Sequence, residues 1–210
     1  QKLLNIANKS TKDNNIVFLN RFDSILKNLL IILIGSILYA LSARITIPIP
    51  PVPVTLQTLV LLTFSMAVGS RLAFLTFALY IFEGIIGIPV FAKPPFSGFY
   101  YLIGPSGGYL LGMLIASYFL GYLAEKNYDK NFIKSLTTIF IGTIIIFIPG
   151  LIWLGFWFDQ YHPELSQQIN LGEGYKYAFK YGLLVFKFTE PVKIALAACI
   201  TPLIWHFVKK

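Results

Sequence analysis

The sequence predicts an all-α membrane protein, a bundle of six transmembrane helices with both termini on the cytoplasmic side. Three observations carry that expectation. Of 210 residues, 56% are hydrophobic and only 12% are charged, against about a quarter charged in soluble domains. Apolar runs close to the roughly 17–25 residues that cross a bilayer occupy most of the chain. The Lys and Arg residues behind the net charge of +8 sit at the ends of those runs. They do not stripe a soluble face, which argues against nucleic acid as a partner.

The first apolar run, 25–43, follows a polar segment, 1–24, that carries Lys2, Lys9, Lys12 and Arg21. A signal peptide would have an apolar core of about 7–15 residues, so this longer run, followed by others, is read as helix 1. The remaining runs cover 54–68, 72–88, 105–124, 136–158 and 191–208, bounded by charge or by proline and glycine. Together they form one membrane domain, 25–210, with 1–24 as a cytoplasmic extension.

Six spans place Lys27, Arg71, Lys126, Lys130, Lys134, Lys209 and Lys210 on the side of the termini. Arg44, Lys93, Lys176, Lys180, Lys187 and Lys193 fall on the other. Cations favour the cytoplasmic side, which sets the orientation in a cell membrane. The outer connections, 44–53, 89–104 and 159–190, are the long ones. Binding function concentrates in long loops, so a site is expected to open outward.

Small residues at helical spacing mark close helix contacts. Gly108, Gly112 and Ala116 on helix 4 are expected to pack internally, whereas Ser36, Ala40 and Ala43 on helix 1 are the candidate face for docking a partner.

Few polar side chains interrupt the apolar runs. T-E-P-V-K opens the last one, with Pro191 suited to the first helical position and Thr189 or Glu190 as N-cap. Glu190 suits the positive end of the helix dipole; Lys193 does not, and needs a local partner. Three residues apart, the two share a face, as a ligand-binding pair or a structural ion pair. Glu83 either sits neutral and hydrogen-bonded or faces a cavity. Gln57, about one turn into helix 2, offers donor and acceptor either to a ligand or to a loop carbonyl. The stiff, proline-rich stretch before it is suited to fold over a cavity mouth. Gly104–Tyr109 opens helix 4 with free amides that suit an anionic group, but lacks the Lys-Ser/Thr of a phosphate loop.

Catalysis and metal binding have no support. No nucleophile stands with a base at usable spacing, Cys199 is the only cysteine, and His162 and His206 lack metal-ligand spacing.

Three ordered motifs, A-R-I-T-I-P-I-P-P-V-P-V-T-L-Q-T-L, L-Y-I-F-E-G-I-I-G-I-P-V-F-A and G-P-S-G-G-Y-L-L-G, resemble the BioY family of biotin transporters. The resemblance runs over about 44–121 and resumes at 190–198. It implies a six-helix substrate-binding S component of an energy-coupling factor transporter, with high-affinity capture of biotin and its uptake across the cytoplasmic membrane. A coupling transmembrane protein and two ATPases are the partners it implies; ATP is used only by them, and the chain itself takes no cofactor. An S component for another vitamin, or a solitary, even homo-oligomeric, biotin facilitator, are the alternatives. The family's last motif looks like G-D-x-x-K, whose aspartate and lysine are thought to reach the biotin head group. Glu190 and Lys193 occupy those positions here, with a longer acid and an inserted proline. The substrate-binding set is then Gln57, Tyr80, Glu83, Tyr101, Glu190 and Lys193, under loops carrying Arg44, Pro50, Pro51, Gly104 and Ser106. Tyr80, Phe91, Phe99, Tyr100 and Tyr101 either wall the ring system of biotin or anchor the interface.

Overall fold

Where water is absent, backbone polar groups must be satisfied within the protein, and helices do so within a single segment. The computed structural model, which describes residues 24–161 and 173–208, is accordingly helical. In chain order come α1 (Ser24–Arg44), a hairpin of β1 (Thr46–Ile47) and β2 (Val54–Thr55), α2 (Gln57–Val68), α3 (Ser70–Ile85) and a 3-10 turn (Phe99–Tyr101). Then follow α4 (Gly107–Glu125), α5 (Phe132–Tyr161), α6 (Glu173–Ala178), a π turn (Phe179–Leu183), a second 3-10 turn (Leu184–Phe186) and α7 (Thr189–Val208). The segment before residue 24, expected to be cytoplasmic, and His162 lie outside the described residues.

Among the described residues, three helices are long and apolar enough to cross a membrane: Ser24–Arg44, Gly107–Glu125 and Phe132–Gln160; Gln57–Val68 is apolar but shorter. Large aliphatic side chains such as Ile34, Ile37, Leu41, Ile148 and Ile152 are more than two-fifths exposed, a surface suited to lipid and not to water. Several hydroxyls within the helices turn back on their own backbone. Thr76 donates to Leu72 O at 2.7 Å, Thr143 to Ile139 O at 2.9 Å and Thr201 to Ala197 O at 2.7 Å, which satisfies them without water.

Helix 2 begins three residues later than the apolar run. Thr46 pairs with Thr55 and Ile47 with Val54 in an antiparallel hairpin. Pro48, Pro50, Pro51 and Pro53 cannot donate to a helix, and the β-branched residues flanking them favour extended backbone. The hairpin turns the chain leaving α1 back over the end of the bundle. The connection 159–190, expected to be irregular, contains α6 and the π and 3-10 turns.

α4 and α5 lie close. A Cβ on Gly108 would come within 2.3 Å of Trp153 Cβ and 2.5 Å of Pro149 O; one on Gly112 would come within 2.5 Å of Ile146 O. Backbone atoms cannot yield as side-chain ends can. Gly112→Leu is therefore expected to cost at least about 1–3 kcal/mol by overpacking, read as a lower thermal midpoint in size-exclusion-coupled melting.

At the opposite end from the hairpin, Glu125 at the end of α4 accepts hydrogen bonds from Ser70 N (2.7 Å) and Ser70 Oγ (2.8 Å). It caps the first turn of α3 from another helix, satisfying an amide that α3 cannot. Gly121 permits the approach, since a Cβ there would meet the Gly69 and Ser70 backbone at 2.4 Å.

The face of α1 expected to dock a partner is turned inward. Ser36 is wholly buried and donates to Glu83 Oε1 at 3.1 Å. Ala40 packs against the core, and Tyr39 is enclosed by Phe64, Phe77 and Tyr80. The chain's own α2 and α3 occupy the small-residue face, which corrects the assignment of Ser36 and Ala40. The outward face of α1 is aliphatic.

Candidate functional site

The hairpin and the loop after α3 cover one end of the bundle and are tied to each other. Arg44, at the end of α1, donates to Pro89 O and lies 4.1 Å over the ring of Phe96. Lys93 Nζ donates to Pro51 O at 2.7 Å. Gly84 lets the loop seat on α3, because Phe91 fills the space where a side chain would be. Phe91, fully buried, stacks on Tyr101 with ring centroids 4.3 Å apart and meets Tyr80 edge-on at 5.8 Å. Trp153 Nε1 donates to Gly104 O at 2.8 Å, holding the loop's far end to α5.

Beneath this cover lies a small cavity of about 40 Å³, lined by Val52, Thr55, Gln57, Tyr80, Tyr101, Ser106, Tyr109 and Met113 among others. Gln57 is the first residue of α2, and its backbone N–H is capped by Thr55 Oγ1 at 3.3 Å. Its side chain is 4% exposed, and Nε2 has no hydrogen-bond partner. Ser106 Oγ is also buried without a well-formed bond, next to Tyr101. Burial pushes the Tyr101 phenol above its usual pKa, so it stays a neutral hydrogen-bonding group.

One residue further along α2, Thr58 joins the cavity wall to α7. Lys193 Nζ donates to Thr58 Oγ1 at 2.9 Å and to Glu190 Oε1 at 2.6 Å. Side chains of the pair are 10% and 6% exposed. Glu190 Oε2 accepts nothing. A buried ion pair is retained against a desolvation cost of several kcal/mol per ion only when well satisfied. A carboxylate with one oxygen bonded and one free is therefore incomplete.

On the far side, Tyr109 OH donates to Gly182 O at 2.9 Å, and Gly150 and Gly182 leave room for its ring and hydroxyl. This bond fixes α4 to the π turn just before α7. Tyr109→Phe is expected to lower stability by about 1 kcal/mol, measured as a shift in thermal midpoint.

The structure thus brings Gln57, Tyr80, Tyr101 and Ser106 onto one cavity and sets Glu190 and Lys193 beside it. Arg44, Pro50 and Pro51 line a second, larger chamber nearer the surface, and Gly104 is a loop anchor. Glu83, half-buried between α3 and α1, accepts a hydrogen bond from Ser36 at 3.1 Å and lines neither cavity. Phe99 and Tyr100 are exposed at the surface, at 59% and 82%. Thr58 and Tyr109 were not legible as site residues. Thr58 carries a signal in retrospect, as a second polar side chain beside Gln57 in the first turn of an apolar helix.

A sequence model described as the BioY family matches residues 10–210. A probable biotin transporter BioY of Rickettsia prowazekii is 31% identical over 201 residues, spanning 93% of this chain and 95% of that protein. A biotin transporter BioY of Thermotoga maritima is 31% identical, spanning 80% and 89%. A solved structure, described as the S-component for biotin from an ECF-type ABC transporter, superposes with a TM-score of 0.70 at 22% identity, covering 90% of this chain and 94% of that one. It shares the fold. On the family pattern and these relatives, the chain belongs to the BioY family.

Proposed function

We propose that this chain is a membrane protein that binds biotin on the outer side of the cell membrane and takes part in its uptake. Its work is transport and not catalysis. The observation that carries the reading is the set of unmatched polar atoms at one end of an apolar bundle. Biotin presents a ureido group with two N–H donors and one carbonyl, a thioether ring and a valerate carboxylate. Glu190 Oε2 is an acceptor without a donor, and Gln57 Nε2 a donor without an acceptor. They complement the ureido N–H and C=O, while Tyr80 and Tyr101 flank the apolar ring.

The inner cavity, at about 40 Å³, is far below the roughly 300–1,000 Å³ of typical ligand pockets. Binding therefore requires the hairpin and the 86–106 loop to lift for entry and to seat again over the bound ligand. In the full reading, α1, α2, α3, α4, α5 and α7 are six spans with both termini cytoplasmic. The cation-rich inner end and the long outer loops support that orientation. A coupling membrane protein and two ATPases supply the energy for release inward, and the aliphatic outer face of α1 is free for lipid or for another subunit.

Equilibrium binding of labelled biotin to the purified full chain, run beside a thermal-shift panel of vitamins, tests this. Biotin alone should stabilise the protein, by RT ln(1 + [L]/Kd). Stabilisation by riboflavin or thiamin without biotin would overturn the ligand assignment. Uptake by proteoliposomes containing this chain alone would remove the need for the ATPases.

A further inference from the structure

Above the inner cavity lies a chamber of about 730 Å³, lined by Arg44, Thr46, Lys93, Trp157, Ala92 and a group of prolines. Its walls are apolar, and the only charged side chains among the described residues that line it are both cations. Neither Arg44 nor Lys93 pairs with a carboxylate among the described residues; each donates to a neutral carbonyl, of Pro89 and Pro51. Thr46, on the same wall, has a hydroxyl with no partner. Burial also lowers the pKa of Lys93, a strain on the charged form that an incoming anion would relieve. Pro53 and Ala92 line both this chamber and the inner cavity, so the two are separated by a septum of those two residues.

A low-dielectric chamber lined by charge of one sign concentrates ligands of the other sign. We propose that the outer chamber is a carboxylate-selecting vestibule, a first binding site for an apolar monocarboxylate. Arg44, Lys93 and Thr46 hold the carboxylate, and the apolar body rests against Trp157 and the prolines. The ligand then passes between Pro53 and Ala92 to the inner cavity. The identity of that acid as biotin rests on the function proposed above; the vestibule does not. With the carboxylate held outside, the ureido end of biotin leads towards Gln57 and Glu190.

Hexanoate tests the vestibule separately, since it has a carboxylate and an apolar tail but no ureido group. In wild-type protein in nanodiscs, hexanoate should saturably change Trp157 fluorescence at a concentration about tenfold below hexanamide at low salt. About 0.5 M NaCl should erase that preference, and Trp157→Phe should remove the signal. R44Q/K93Q keeps donors for Pro89 O and Pro51 O while removing both charges, and should bind hexanoate no better than hexanamide. R44K/K93R keeps the charges and should keep the preference. Equal binding of acid and amide by wild type, a preference that survives in R44Q/K93Q, or a signal that survives Trp157→Phe would overturn the proposal. Should R44Q/K93Q fail to fold, the salt dependence of wild type and R44K/K93R decides. In the same samples, biotin should associate about tenfold faster than biotinamide with wild type. A hexanoate preference without biotin binding would keep the vestibule and remove biotin as its ligand; biotin binding without a hexanoate preference would do the reverse.

Discussion

Lys193→Ala is expected to weaken biotin binding at least tenfold, about 1.4 kcal/mol, and to lower the folding stability of the protein as well. The ammonium is the only cation on Glu190 among the described residues and also holds Thr58 at 2.9 Å. Its removal leaves a buried carboxylate without its counter-ion and with only the Thr58 hydroxyl beside it, and breaking one side of a buried pair costs about 3–5 kcal/mol. Loss of binding alone would not separate a ligand-binding pair from a structural one, because a loosened α7 would impair both. The double variant K193M/E190Q makes the separation. It removes both charges together, so most of the stability should return, while the ureido hydrogens meet a neutral amide oxygen in place of a carboxylate and the lysine donor is gone, so binding should not recover. Isothermal titration with biotin and thermal melting on the same preparations read the two quantities. Full-strength biotin binding by K193A would remove the pair from the site. Recovery of both stability and affinity in K193M/E190Q would assign the pair a structural role only.

The long apolar elements of this protein were legible because hydrophobicity and length alone decide them. Helix 4, expected over 105–124, is found at Gly107–Glu125, and the last, expected over 191–208, at Thr189–Val208. What the chain does between the helices was harder to read. The hairpin at 46–55 depends on a pairing across intervening prolines that no local periodicity reports. The helical turns of 173–186 are short and interrupted, and lack a sustained repeat.

Within the site, the Glu190–Lys193 contact could be inferred because three residues on a helix fix a shared face, whatever surrounds it. Thr58 could not, because its partner lies 135 residues away. Ser36 shows the opposite failure. Small residues at helical spacing state that something approaches closely, but not whether it is a partner or the chain itself. Its hydrogen bond to Glu83 turns the serine inward and holds the glutamate at the junction of α1 and α3, away from the cavity.

Gly84→Val is the second substitution expected to have a large effect, and it acts without touching any ligand-facing group. A Cβ at Gly84 would lie 2.0 Å from Phe91 Cζ and 2.5 Å from both Cε atoms. Phe91 cannot simply withdraw. It is fully buried, its backbone N–H is bonded to Phe96 O at 2.8 Å, and its ring is stacked on Tyr101. Gly84 itself accepts from Gly98 N at 2.7 Å, a second attachment of the same loop. Displacing Phe91 therefore moves the loop from 86 to 101 as a unit and takes from Tyr101 its stacking partner over the cavity. The cost of such overpacking is about 1–3 kcal/mol, and it falls on the closed arrangement of the cover. Biotin affinity should drop about tenfold or more, and limited proteolysis within the loop should quicken, while the Glu125–Ser70 end stays protected. Gly87→Ala is the matched control. Gly87 has φ +104 and no atom within 4 Å of its would-be Cβ, so alanine there strains the backbone without touching Phe91. If G87A and G84V lower affinity equally, the loop is sensitive to any disturbance. If only G84V does, the seat of Phe91 on α3 is what holds the cover over the site.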